Sequence, residues 1–132
     1  MSKIKQIKGL TIHFMPHSEI EGLDSTARIK KLLELVLKGK IIIIQGRLKA
    51  DEETRLIEDT MIMVGQIKGF KGIEFAVIAS NSKEKSILDR MRHNLATMLV
   101  GDTEAITIVG PASIIKEMKK DPKKLEIMMG GI

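Results

Sequence analysis

The chain of 132 residues contains no cysteine, no tryptophan and no tyrosine. Without cysteine there is no disulfide, no thiol nucleophile, no thiolate zinc site and no iron–sulfur ligation. The only aromatic residues are three phenylalanines, so a surface that stacks many bases of a single strand is not expected. Proline occurs three times, and no Pro-, Gly- or Ser-rich linker divides the chain. No apolar run approaches the roughly 20 residues that a membrane helix requires. The opening MSKIKQIKGL is basic but lacks a long apolar core and a small-residue cleavage site, so no signal peptide is expected. These absences lead to the expectation of a cytoplasmic protein outside the membrane. The length fits one domain over residues 1–132, large enough to fold without a metal or a disulfide.

What is present is charge, mostly on lysine. Lys and Arg total 22 against 17 Asp and Glu, a net charge of +5, and the pI is about 9.5. An acidic partner, nucleic acid first among them, is compatible with that balance. Signs alternate along most segments, which also describes an ordinary solvated surface. The Lys, Glu and Ile bias fits a heat-adapted source.

Periodicity gives the architecture. LTIHFM (10–15), IIIIQG (41–46), IEFAVIA (73–79) and AITIV (105–109) read as strands. Helices are predicted over 25–38, 52–67, 83–100 and 112–120, the first with Ile29, Leu32, Leu33 and Val36 as its apolar stripe. For the second, Asp51 is the expected cap and Leu56, Ile57, Thr60, Met61 and Val64 the expected inward stripe. Four isoleucines in a row suggest a strand buried on both faces. The expectation is an α/β fold: a single domain with a mostly parallel four-stranded sheet and helices packed on it. The tail, 125–132, is a candidate fifth, edge strand.

In a parallel sheet, ligands gather beyond the carboxyl ends of the strands. The segment PHSEIEGLDS (16–25) falls there and is longer and more polar than a helix cap needs. It supplies His17, Ser18, Glu19 and Glu21 as a ligand or partner loop, joined by Arg47, Asn81 and Ser113 after the other strands. His17, Glu19 and Glu21 are adequate donor types for a metal, but their spacing matches no strong motif, so no metal site is assigned. Ser18, His17 and Asp24 lack a nucleophile elbow, and no residue is assigned a catalytic role. There is no GxxxxGK[ST] and no GxGxxG, so no cofactor is indicated. Arg47, beside Gly46, is the residue best suited to meet an anion.

Two surfaces remain. Lys3, Lys5 and Lys8 near one end, with Lys119, Lys120 and Lys123 near the other, are candidates for RNA phosphates. Leu35, Leu37, Ile62 and Met63 lie off the main helical stripes and are interface candidates. Nine methionines suit an adaptable contact surface.

The stretches MPHSEIEGLDSTARIKKLLELVLKGKIIIIQGRL, EETRLIEDTM and ITIVGPASIIKEMKKDP resemble an uncharacterised archaeal family, domain of unknown function 2073, over roughly residues 8–125. The resemblance implies an archaeal cytoplasmic protein associated with an Era-like GTPase and RNA-related neighbours. The expected function is therefore a non-enzymatic binding module for a protein or ribonucleoprotein partner, a GTPase or a second copy of the chain among the candidates. The alternatives are direct RNA binding through the Lys-rich termini and a small-molecule or metal-dependent enzyme at the loop edge.

Overall fold

A computed structural model describes residues 3–7, 10–79 and 105–121. The helix expected over 83–100, Asn81, Lys8, Lys123 and the tail 125–132 lie outside the described residues. The elements run β1 (Lys3–Ile7), β2 (Leu10–Met15), α1 (His17–Glu21), α2 (Ser25–Leu37), β3 (Ile41–Gln45), α3 (Ala50–Met63), β4 (Ile73–Ala79), β5 (Ala105–Pro111) and α4 (Ala112–Lys120).

Among the described residues, one five-stranded sheet has the order β1-β2-β3-β5-β4. Only β2 and β3 pair in parallel; β1–β2, β3–β5 and β5–β4 are antiparallel. The expectation of a mostly parallel sheet is thus corrected to a mixed one. The isoleucine run misled because burial on both faces, not strand direction, produces an unbroken apolar stretch. Ile41, Ile42, Ile43 and Ile44 are all fully buried, although β3 has one parallel and one antiparallel neighbour. β3 and β4 do run in the same direction, but β5 lies between them. The N-terminal Lys3–Ile7, not among the predicted strands, also forms a strand.

On one face, Ile42, Ile44 and Val109 pack with Ile29, Leu32 and Val36 of α2 and Leu56 of α3. On the other, Gly110 brings β5 close to α4. A Cβ at Gly110 would meet Ile41 Cγ1 at 3.1 Å and Ile115 Cδ1 at 3.2 Å. Because Ile41 alternates with Ile42, α4 sits on the face opposite α2 and α3.

α2 begins where expected, with the Asp24 carboxylate accepting from the Ala27 amide at 2.8 Å. α3 departs from expectation at both ends and in phase. Its N-cap is Lys49, whose amide donates to Glu52 Oε1 at 3.0 Å. It stops at Met63, because Gly65 adopts a φ of 89° that a helix does not permit. Leu56 and Thr60 of the expected stripe are buried, joined by Glu52, whereas Ile57, Met61 and Val64 are not. The reason is chemical: the inner face carries two polar groups, both with hydrogen-bond partners. The Thr60 hydroxyl donates to the Leu56 and Ile57 carbonyls at 2.9 Å, and Glu52 is paired as described below.

Candidate functional site

The carboxyl ends of β2, β3 and β4 share one sheet edge with the start of β5. At this edge the polar segment after β2 folds into a short helix instead of an open loop. The Glu19 and Ile20 amides both donate to the Pro16 carbonyl, at 3.0 and 3.3 Å. The His17 amide donates to the side-chain oxygen of fully buried Gln45 at 2.9 Å. Gly46 turns the chain after β3 with a φ of 116°, its amide donating to the Ala105 carbonyl at 2.9 Å. The Gly46 carbonyl accepts from the Thr107 hydroxyl at 2.7 Å.

Arg28, on α2, ties this edge together. Its guanidinium donates to the Ile20 carbonyl at 3.0 and 3.3 Å, to the Leu23 carbonyl at 2.9 Å and to Glu52 Oε2 at 2.7 Å. The C-terminal end of α1 is thereby clamped to a buried carboxylate on α3. Burial pushes the Glu52 carboxyl up. The Lys49 amide, the Ser25 hydroxyl and the Arg28 guanidinium outweigh that and hold it below the ordinary glutamate value. Residue typing alone could not find this pair, since Arg28 and Glu52 both read as surface charges on separate helices.

Glu19 is drawn to Lys31 in an ion pair, while His17 and Glu21 stand 3.5 Å apart and exposed. The three candidate metal donors therefore do not converge, and no cluster of three metal-binding side chains occurs among the described residues. Ser18 and Arg47 are exposed near His17's end of the sheet. Ser113 is not: β5 ends at the opposite edge, so Ser113 is separated from the other candidates of its group. Beneath the segment, His13 is buried and neither ring nitrogen has a hydrogen-bond partner among the described residues. Burial holds its pKa below the ordinary histidine value, helped by Lys31 and Lys40 and opposed by Glu19.

The lysine groups do not merge. β1, with Lys3 and Lys5, is one edge strand, whereas α4, with Lys119 and Lys120, packs on β4 and β5 at the other side of the sheet. Three to four strand spacings of about 4.8 Å separate them. Lys119 also faces Glu74 at 3.8 Å.

The interface candidates divide. Leu35 is 8% exposed and belongs to the core, which corrects its assignment; it lies one helical turn beyond Leu32 and shares its face. Leu37 and Met63 are half-buried, and Ile62 is 64% exposed. The surface that sequence reasoning missed surrounds Ile62. Ile57, Met61 and Val64, at helical spacing, are 41%, 58% and 38% exposed. They were expected to point inward, and only the polar inner face of α3 reveals that they do not.

No described helix is long and apolar enough to cross a membrane. No curated protein and no solved structure matches the chain significantly. A family profile does match, over residues 20–129, and so spans α2, the sheet from β3 onward and α3: the chain belongs to the family described as origin-associated protein OapB.

Proposed function

We propose that the chain is a non-enzymatic binding module that docks a protein partner through the C-terminal half of α3. One observation carries the reading: Ile57, Met61, Ile62 and Val64 expose large apolar side chains side by side on a helix whose other face is satisfied. Apolar groups grouped in this way mark contact surfaces, whereas single exposed ones are ordinary. The family description, origin-associated, supports placing the partner in an assembly at an origin. The resemblance noted in the sequence adds a GTPase as the partner class, and an archaeal, heat-adapted, cytoplasmic setting accords with it.

The test compares wild-type chain with the Met61→Glu and Ile62→Glu double variant as baits in nuclease-treated native extract. Expected is a protein, a GTPase on this reading, that wild type retains at high salt and the variant loses. Identical captured sets would refute the α3 surface as the docking face. Partners that disappear with nuclease would favour nucleic acid bound through the terminal lysines instead. Light scattering on both proteins identifies self-association as the alternative occupant.

A further inference from the structure

The link from α3 to β4 contains Lys68-Gly69-Phe70-Lys71-Gly72. In the structure it forms one wall of an open groove of about 270 Å³ at the sheet edge opposite His17. Lys38, at the end of α2, lies along a second wall, and Pro111 and Ser113 line the passage from β5 into α4. Among the described residues the lining holds three lysines and no carboxylate. All three lysines are exposed, and none is in an ion pair among the described residues. Phe70 lines the same groove and is only half-buried.

Three unneutralised ammonium groups beside a partly open aromatic ring match two chemistries at once. The ammonium groups attract phosphate, and the ring offers a face on which a base can stack. A duplex hides its base faces and would leave Phe70 unused. The groove has room for about one nucleotide unit, and a single phenylalanine suffices to stack one base even in a chain poor in aromatics.

We infer that this groove binds single-stranded nucleic acid, with one base against Phe70 and the adjoining phosphates neutralised by Lys38, Lys68 and Lys71. The groove adjoins the exposed apolar residues of α3, Met61 Sδ lying 3.9 Å from where a Cβ on Gly72 would stand, but it takes a different class of ligand.

The experiment follows the anisotropy of a short fluorescein-labelled oligothymidylate titrated with the full chain at several salt concentrations. Three neutralised phosphates give a log–log salt slope of about −2. Lys68→Glu combined with Lys71→Glu, both at exposed positions, is expected to weaken binding at least tenfold with no change in Tm. Phe70→Leu is expected to weaken it by roughly tenfold, the loss of one stacked base. Phe70→Trp restores the ring and installs the chain's only indole, whose fluorescence the oligonucleotide should quench. Several results would overturn the inference: equal affinity for polyglutamate, tighter binding of a duplex, or no binding at low salt. So would an unquenched indole in the bound state, or loss on Lys119→Glu with Lys120→Glu while the groove variants bind normally.

Discussion

Arg28 is the residue that the polar segment after β2 depends on. Its side chain satisfies two carbonyls at the end of α1 and one buried carboxylate. Removing one partner of such a pair leaves the other charge buried, at a cost of about 3–5 kcal/mol. Arg28→Met is therefore expected to lower stability by about that amount in urea unfolding, whereas Lys31→Met, whose own side chain is more exposed, should cost less. Glu52 also sets a pH dependence. Its folded pKa lies below its unfolded one, so the contribution is complete above the ordinary glutamate value of about 4.3 and is lost as pH falls through the lower folded value. His13 acts in a higher window with the same sign. Its folded pKa is depressed, so protonation favours the unfolded chain, and stability falls as pH drops below about 6.5 toward the folded value. His13→Leu should remove that upper component from a Tm-against-pH profile and leave the lower one. An unchanged profile would show that His13 is not the group that titrates.

The phase of α3 distinguishes two accounts of the chain. With Leu56 fully buried, Leu56→Ala should cost about 2–5 kcal/mol. Ile57→Ser and Ile62→Ser, on the open side, should lie within about 0.5 kcal/mol of wild type. If Ile57→Ser proved as costly as Leu56→Ala, the helix would be rotated as its apolar pattern suggested and the exposed surface would not exist. The strand β5 is tested through Gly110, where an added side chain has little room between Ile41 and Ile115. Gly110→Val is expected to cost about 1–3 kcal/mol by overpacking. Much of this element structure was legible. The strands at 10–15, 41–45 and 73–79 and the helices at 25–37 and 112–120 follow from apolar period and caps. The phase of α3 was not, because a pattern scored on hydrophobicity cannot place a buried glutamate whose partner is 24 residues away. α1 was hidden for a related reason: its stability comes from Arg28 and Gln45, not from its own five residues.

The topology of the whole sheet could not be read from alternation of elements. Strand–helix–strand order suggests parallel pairing, yet β5 enters between β3 and β4 and runs against both. That insertion moves Ser113 to the edge opposite His17, and it keeps the lysines of β1 and α4 apart. The candidate site was legible as a place, the end of β2, but much of its polar character serves to fasten α1, α2 and α3 to one another. The surplus that remains after this accounting is apolar and lies on α3. The most direct measurement is calorimetric titration of the captured partner against wild type, Met61→Glu and Ile62→Glu at low and high salt. The account predicts a negative heat-capacity change, little salt dependence and at least tenfold weaker binding by each variant. Equal affinities for all three proteins, with binding that collapses in salt, would contradict it.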